Sequence, residues 1–284
     1  MAGPETARSD LPARVVSINL CTDQLALMIA APGQIASVSF LARDRSMSVM
    51  ADAARAYPEN HGLAEQVFLM KPELVLAGTY MTASTVDLLR RLGITVEEFA
   101  PATSFADIRR DIARMGELLG HPKRAAELIA ELDTRLAAAS RVGGPRSPLA
   151  ALYYANSYTS GRSTLPDEIV TLGGLRNLSR ELGLAGVEKL PLEILVRHAP
   201  RVLVTGESYE GAPALAQEGF RHPALKGLGA EEVPAATADK YWICGGPFTA
   251  EAVRLLAEAR DRVLPGLVRD RADIEARAPE GNVP

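Results

Sequence analysis

The fold is decided by a stretch that the sequence contains twice. Residues 65–78 read EQVFLMKPELVLAG and residues 193–206 read EILVRHAPRVLVTG, so the second copy follows at an offset of 193 − 65 = 128 residues. In each copy an acidic residue opens a short helix, at the end where negative charge is favoured. Proline then stops the helix, and the aliphatic run that follows is typical of a fully buried strand. Two copies at matched spacing predict a duplicated structural unit.

Alternating strands and helices surround both copies. In the first half we predict strands over 14–19, 35–40 and 94–99 and helices over 24–30 and 82–92. Thr22 and Asp23 are the expected caps of the first helix. In the second half we predict strands over 149–154 and 201–205 and helices over 166–172 and 251–263. The order strand, helix, strand indicates mainly parallel sheets, which bind ligands at the carboxyl ends of their strands.

A long helical region separates the two halves. Ser104 is expected to cap a helix over 105–119, and after a break at 120–122 a second helix continues to 142. Residues 143–148, GGPRSP, end that helix. The sequence therefore predicts an α/β fold of two Rossmann-like lobes with central, mainly parallel sheets, joined by one long rigid helix. The predicted parts are an N-terminal lobe over 14–120, a bridging helix over 121–143 and a C-terminal lobe over 144–284.

The composition argues against nucleic acid as a partner and against a membrane-spanning segment. The formal net charge of −4 argues against a nucleic-acid-binding surface, which needs a basic stripe. No apolar run reaches the roughly 18 residues of a transmembrane helix. Residues 1–12 lack the apolar core of a signal peptide. Such a start fits either a cytoplasmic protein or a mature exported protein whose signal segment has been removed.

A second segment joins the duplicated stretch in resembling a known family. It contains, in order, Tyr158-Thr159-Ser160-Gly161-Arg162, Asp167-Glu168-Ile169, Leu172-Gly173-Gly174 and Asn177. From residue 14 to about residue 263 the chain resembles the substrate-binding proteins of ABC importers for cobalamin, ferric siderophores and haem. The resemblance implies a periplasmic monomer that captures a metal chelate in a cleft between its lobes, with little hinge motion, and delivers it to a dimeric permease with its ATPase. It implies no resident cofactor and no enzymatic activity.

Glu65 and Glu193 begin the two copies at equivalent positions. Each, taken alone, is as ordinary as any solvated acid at the start of a helix. The resemblance implies a further role, in which one exposed acid on each lobe pairs with arginines of the permease. Two equivalent carboxylates suit a permease with two-fold symmetry, and charges at the rim of an interface mainly steer docking.

The resemblance places the ligand against loops that follow the predicted strands. Aromatic rings in these loops suit a large ligand with an apolar body and polar edges, although each ring could instead pack in a lobe core. Arginines match anionic groups of a chelate, although they could be ordinary surface residues. The predicted ligand-binding residues are Cys21, Thr22, Arg43, Arg45, Tyr80, Tyr158, Arg162, Tyr241 and Trp242. Because aromatics and arginines are both present, the choice among cobalamin, ferric siderophore and haem stays open.

Cys21 and Cys244 are the two cysteines of the chain. Both are predicted in loops at the edge of the cleft, one on each lobe. Three states remain open: two buried thiols, a disulfide formed in an oxidising compartment, which would lock the lobes together, or thiols that contact a bound metal centre. No CxxC motif or Cys/His cluster occurs, so a zinc site has no support in the sequence.

Two other functions also remain open. A binding protein for bare zinc or manganese shares this architecture, but it needs several histidines that converge with carboxylates. The four histidines fit that pattern poorly; they are His61, His121, His198 and His222. An α/β enzyme with an active site between its lobes is the other alternative. The sequence contains no nucleophile elbow, Walker loop or Rossmann glycine fingerprint, but catalytic groups scattered over loops leave no local motif.

Overall fold

Two parallel β-sheets organise the computed structural model, which describes residues 11–80, 83–205 and 218–277. The strands of the first half are β1 Val15–Ser17, β2 Ile35–Ser39, β3 Glu59–Asn60, β4 Leu74–Gly78 and β5 Thr95–Phe99. Those of the second half are β6 Leu149–Tyr153, β7 Tyr158–Ser160, β8 Arg176–Asn177, β9 Val187–Lys189, β10 Val202–Thr205 and β11 Glu231–Pro234. The described sheets have the orders β3-β2-β1-β4-β5 and β11-β10-β6-β8, with β7 and β9 as a separate antiparallel pair.

Helices connect these strands. In the first half they are α1 Leu20–Ile29, α2 Ala51–Ala54, α3 Ala64–Leu69, α4 Ala83–Arg91, α5 Phe105–Leu119 and α6 Pro122–Ala139. In the second half they are α7 Leu165–Leu172, α8 Leu178–Glu181, α9 Leu192–His198, α10 Glu218–Arg221, α11 Pro223–Lys226, α12 Ala235–Trp242 and α13 Ala250–Arg277. None of these described helices combines the length and the apolar character needed to cross a membrane.

The structure confirms the predicted α/β fold with parallel sheets and shows the duplication in the strand order. The order β2-β1-β4-β5 in the first sheet corresponds to β8-β6-β10-β11 in the second. The strand of each repeated stretch is central: β4 pairs with β1 and β5, and β10 pairs with β6 and β11, all in parallel. Strands with neighbours on both sides and helices on their faces are buried, which is why both read as aliphatic runs.

The turn between helix and strand is also duplicated. Lys71 and Ala199 each precede the proline of their copy, and they have backbone φ angles of 51° and 43°. Their separation, 199 − 71 = 128, equals the offset of the repeat. A left-handed conformation costs a residue with a side chain roughly 1–2 kcal/mol. Both units accept this cost because the left-handed residue turns the chain out of the helix and into the buried strand.

Two units emerge from the contacts within the chain. Unit 1 contains the residues up to Arg135 together with Asp239–Thr249, and unit 2 contains Leu136–Ala238 and the residues from Ala250 onward. The core of unit 1 includes Val16, Ile18, Val67, Val75, Ala77, Leu89 and Val96. The core of unit 2 includes Ala151, Tyr153, Leu178, Leu195, Leu203 and Leu225.

The predicted bridging helix is confirmed in part. Helix α6 runs over Pro122–Ala139 and contains the boundary between the units at Arg135 and Leu136, but it ends before the predicted residue 143. Helix α5 has the predicted bounds, with the Ser104 hydroxyl accepting a hydrogen bond from the Asp107 amide at 3.1 Å. The closing helix α13 is longer than the predicted 251–263.

Two predictions about local structure are wrong. Thr22 and Asp23 do not cap the first helix; both lie inside α1, which begins at Leu20 because the Asn19 side chain accepts hydrogen bonds from the Cys21 and Thr22 amides. Residues 240–242 are not a loop but the last turn of α12.

The segment Asp239–Thr249, assigned from the sequence to the C-terminal lobe, belongs to unit 1. A disulfide joins its Cys244 to Cys21 of α1. Around this bond Phe248 and Tyr241 pack with Leu20, which places the segment in a hydrophobic cluster of unit 1. Residues far away in sequence, Cys21 and Leu20, therefore hold the segment Asp239–Thr249 in unit 1.

Candidate binding site of unit 1

A pocket opens at the carboxyl ends of β1, β4 and β5 in unit 1. Its cavity volume is about 60 Å³, and it is partly open to solvent. Its walls come from Asn19 and Thr22 after β1, from Thr79 and Tyr80 after β4, and from residues 99–102 at and after β5. Parallel sheets bind ligands at this edge because the loops that follow the strands converge there.

The glycine that ends the repeated stretch shapes this edge. Gly78, the last residue of β4, lies so close to Asn19 that a Cβ atom at its position would come within 2.6 Å of the Asn19 Nδ2. Asn19 cannot move away freely, because its Oδ1 caps α1 through the Cys21 amide at 2.9 Å. Only glycine lets β4 and the start of α1 approach this closely.

Cys21 and Cys244 form a disulfide in the wall of the pocket, with their Cα atoms 5.0 Å apart. Of the three states that the sequence left open, the structure contains the disulfide. The prediction that the two cysteines lie on different lobes is wrong, because both belong to unit 1. The bond therefore does not lock two lobes together. It attaches Ile243 and Gly245, which also line the pocket, to the start of α1.

Charged side chains are sparse in the lining itself, although the Arg114 guanidinium lies 4.5 Å from the centre of the ring of Phe99, a lining residue. Asp111 of α5 is the single charged residue among the described residues that line it, and its neighbour Arg110 donates from Nε to the Asp111 Oδ1 at 3.3 Å. Burial raises the pKa of the Asp111 carboxyl, against the opposing attraction of Arg110. No arginine or lysine belongs to the described lining. The surface offered to a ligand is mainly apolar, with a few hydroxyl and amide groups.

Three of the predicted ligand-binding residues line this pocket: Cys21, Thr22 and Tyr80. Cys21 does so as half of the disulfide. The Thr22 hydroxyl donates to the Asn19 carbonyl oxygen at 3.0 Å and lies 2.8 Å from the Ser17 hydroxyl, so it is already engaged. Tyr80 is 89% exposed at the rim, where its ring is available to a ligand.

Arg43 and Arg45 do not belong to the described lining of the pocket. Arg43 forms a 2.7 Å ion pair with Glu59, and Arg45 forms one of 2.6 Å with Asp52. The Arg43 Nε is buried without a hydrogen-bond partner in the described structure. Arg43 is held by Glu59 and by the Tyr57 carbonyl oxygen, whereas the Arg45 pair is exposed and leaves its guanidinium accessible to solvent.

Tyr241 and Trp242 pack inside unit 1. Tyr241 belongs to the hydrophobic cluster around the disulfide. Trp242 is 6% exposed, and its indole Nε1 donates to the Asp239 Oδ1 at 3.0 Å. Neither is among the described residues that line the pocket. Sequence reasoning placed them in a loop, whereas the end of α12 directs them into packing contacts.

Tyr158 and Arg162 belong to unit 2. Tyr158 is 40% exposed in β7, with the Lys189 Nζ 4.0 Å from the centre of its ring. The Arg162 side chain is exposed and donates to the Gly183 carbonyl oxygen at 3.0 Å. Their contacts with a ligand stay predictions.

Two other polar residues of the 158–177 segment, Asp167 and Asn177, support its structure. Asp167 is 1% exposed and accepts hydrogen bonds from Asn177 and from the Nε and Nη2 of Arg180. Asn177 also donates to the Ser160 carbonyl oxygen at 2.9 Å. This network fastens β7, α7 and β8 to one another, because a buried carboxylate needs both charge and hydrogen bonds to offset its desolvation.

Glu65 and Glu193 are both exposed and occupy the first turns of α3 and α9. Among the described residues neither carboxylate has an ion pair. Their equivalent positions match the prediction of paired docking groups, which stays a prediction.

Residues 99–102 and Asp111 line the pocket but were not predicted. The first group follows β5, so the rule that selected the loops after other strands would have found it. Asp111 leaves no such signal, since it lies in the middle of an amphipathic helix.

Two α/β units with parallel sheets, and a mainly apolar pocket at the carboxyl edge of one sheet, define a ligand-binding α/β protein. The chain belongs to the periplasmic binding protein family, whose model matches residues 15–231.

Relatives of known name are binding proteins rather than enzymes. A cobalamin-binding protein of Halobacterium salinarum is 33% identical over 156 residues, which make up 54% of this chain and 42% of that protein. A vitamin B12-binding protein of Photorhabdus laumondii is 26% identical over 166 residues, or 57% of this chain and 59% of that protein. The matched stretch thus spans about half the length of these relatives.

Solved structures share the fold. A periplasmic haem-binding protein from Roseiflexus sp. RS-1 has a TM-score of 0.69 at 18% identity, with coverage of 87% of this chain and 98% of that one. The periplasmic vitamin B12-binding protein of Vibrio cholerae has a TM-score of 0.62 at 16% identity, with coverage of 88% and 97%.

Proposed function

We propose that this protein is the substrate-binding component of an ABC importer and that its ligand is a corrinoid of the cobalamin type. The observation that carries the proposal is the pocket of unit 1, which is mainly apolar and has no cationic side chain in its described lining. Membership of the periplasmic binding protein family supports the transport role. The names of the relatives in Halobacterium and Photorhabdus support the choice of ligand.

The candidate ligands differ in their charged groups. Many ferric siderophores and the propionates of haem are anionic, and proteins hold such groups best with arginine, whose guanidinium pairs with two oxygens at once. Of the arginines predicted to bind the ligand in unit 1, Arg43 pairs with Glu59 and Arg45 with Asp52, and neither is among the described residues that line the pocket. A corrinoid offers an apolar macrocycle edged with neutral amides, which suits Tyr80, Asn19 and Thr79. The pocket is too small for a whole corrinoid, so it would hold one part of the ligand.

The proposal includes the partners and the location. We infer that Glu65 and Glu193 dock the protein onto a permease dimer with its ATPase, that the protein acts as a monomer in the periplasm, and that it holds no cofactor besides its ligand. We further infer that it catalyses no reaction. Among the described residues no three His, Cys, Asp or Glu side chains lie together to hold a bare metal ion.

Ligand titration tests the proposal. The protein is titrated with cyanocobalamin, haemin, ferric enterobactin and ferrichrome, and the fluorescence of Trp242, the only tryptophan, is recorded. We expect saturable quenching by cyanocobalamin at the lowest concentration, with the ligand recovered unchanged by mass spectrometry. Tighter binding of haemin or of either ferric siderophore would transfer the role to that ligand, and chemical turnover would favour an enzyme.

Tyr80 provides the variant that ties binding to the pocket. Tyr80→Ala should weaken cyanocobalamin binding by about tenfold, because a ring stacked on a ligand contributes on the order of 1–2 kcal/mol. Tyr57→Ala, at a tyrosine outside the described lining, serves as the control and should leave the affinity within about twofold. Equal effects of the two substitutions would exclude the pocket as the binding site.

A further inference from the structure

The equivalent helices α3 and α9 differ in the side chains on their exposed faces. On α3 the exposed face consists of Glu65, Phe68 and Leu69, since residues three and four positions apart share a helix face. Phe68 is 45% exposed and Leu69 is 77% exposed. The opposite face is buried: Val67 is fully covered in the core of unit 1. Helix α3 thus leaves two neighbouring apolar side chains exposed beside an acid.

The repeat defines the matched positions on α9. An offset of 128 pairs Glu65 with Glu193, Val67 with Leu195 and Leu69 with Arg197. Val67 and Leu195 are both fully buried, so the two helices are seated in the same orientation on their sheets. The acid is kept on the outer face of both helices. One turn later the apolar Leu69 in unit 1 is replaced by the exposed Arg197 in unit 2.

This difference changes the electrostatics of each face. Arg197 stands four residues after Glu193, a spacing at which opposite charges on a helix attract each other. Glu65 has no basic residue at the corresponding position, and among the described residues neither Glu65 nor Glu193 forms an ion pair. Glu65 therefore has an apolar neighbour one turn later on its helix, whereas Glu193 has a positively charged one.

We propose that the face formed by Glu65, Phe68 and Leu69 is the stronger of two docking faces, and that it binds a permease subunit through an apolar strip beside a basic side chain. The face formed by Glu193 and Arg197 then contributes polar contact only. The inference rests on the proposed function and adds which unit carries the affinity. Charge favours this partner over an anionic membrane surface, which repels Glu65.

Exchanging the two matched residues tests the inference. Protein loaded with cyanocobalamin is bound to its permease–ATPase complex in lipid nanodiscs, and the dissociation constant is measured for Leu69→Arg and Arg197→Leu. We expect Leu69→Arg to weaken docking about tenfold or more, as loss of a central apolar contact does. Arg197→Leu should dock at least as tightly as the unsubstituted protein. Equal weakening by both, or an effect of Leu69→Arg below about twofold, would overturn the inference.

Salt and ligand binding provide the controls. The effect of Leu69→Arg should persist at high ionic strength, because an apolar contact is not screened, whereas effects of Glu65 should shrink. Cyanocobalamin affinity should be the same in both variants, since neither residue lines the described pocket. A double variant, Glu65→Arg with Glu193→Arg, separates the two proposals. If the double variant fails to dock while Leu69→Arg docks normally, the apolar docking face is wrong and the docking role of the two glutamates stands. If the unsubstituted protein does not dock, the apolar docking face and the proposed transport function are both wrong.

Discussion

At the scale of single residues, Asp23 is a fully buried carboxyl group in unit 1. It is completely buried in α1, where its Oδ1 accepts a hydrogen bond from the Ser39 amide at 3.1 Å and its Oδ2 contacts the Ser39 hydroxyl. Burial raises the pKa of the Asp23 carboxyl to about 7, although hydrogen bonds from Ser17 and Ser39 oppose the rise. The side chain ties the end of β2 to α1, one residue after Thr22, which lines the pocket.

The raised pKa predicts how stability depends on pH. Between pH 4 and pH 7 the unfolded chain has lost the proton of Asp23 while the folded protein keeps it, so the contribution of this group falls as pH rises and stays low above pH 7. Asp23→Asn retains an acceptor for Ser39 and removes the titration. Relative to the unsubstituted protein, the variant should therefore gain stability from pH 4.5 to pH 8, by about 3 kcal/mol.

Urea denaturation at the two pH values measures this gain. Asp52→Asn is the matched control, because that carboxyl is exposed and its pKa is lowered by Arg45. It is ionised in both states throughout this range and should show no such trend. A constant difference between Asp23→Asn and the unsubstituted protein across the range would show that folded Asp23 is already ionised at pH 4.5.

At the scale of elements, the sequence predicts those helices and strands whose ends are determined by residues close together in the chain. The duplicated stretch predicted α3 with β4 and α9 with β10, because an acid, a proline and an aliphatic run act within a few residues of each other. The bounds of α5 followed from Ser104 and Gly120 in the same way. The carboxyl edge of the first sheet was predicted as a binding surface, and Tyr80 lies there.

Contacts between distant residues could not be predicted in this way. Pairing of Cys21 with Cys244 and the packing of Phe248 with Leu20 join segments 223 and 228 residues apart. Nothing local in residues 239–249 indicates that they pack in unit 1. The same cause explains Arg43 and Arg45, whose partners Glu59 and Asp52 are set by tertiary structure.

The disulfide should stabilise unit 1 and the pocket together. In the chain-entropy account, a bond that closes a loop of 223 residues stabilises a protein by about 5 kcal/mol, and measured values are commonly 2–5 kcal/mol. We expect the double variant Cys21→Ser with Cys244→Ser to lose stability within this range in urea denaturation. It should also bind cyanocobalamin more weakly, because Ile243 and Gly245 are no longer attached to α1.

Reduction supplies the internal control for this prediction. A phosphine reductant should destabilise the unsubstituted protein as much as the double substitution does, and it should have no further effect on the double variant. Unchanged stability in both cases would mean that noncovalent packing of Phe248 and Tyr241 alone holds the segment in place.

At the scale of the whole molecule, the chain passes between its two units three times, after Arg135, after Ala238 and after Thr249. Unit 1 is consequently built from two stretches that are far apart in sequence, and its pocket needs both. The disulfide therefore joins these two stretches of unit 1 by a covalent bond. Without it, the two stretches would be connected only through the chain of unit 2.

This connectivity predicts the behaviour of a cut chain. Residues 142–146 are exposed, and Val142 is 93% exposed, so a specific protease site inserted between Gly144 and Pro145 should be cleaved without unfolding. The two fragments should migrate together in a non-reducing denaturing gel, because Cys21 lies on one and Cys244 on the other. Dithiothreitol should separate them, and Cys21→Ser should separate them without reductant. Before reduction the cut protein should bind cyanocobalamin nearly as well as the intact chain, since the disulfide keeps all the described residues of the pocket wall attached to unit 1. If the two fragments separate on the gel without reductant, the disulfide is absent.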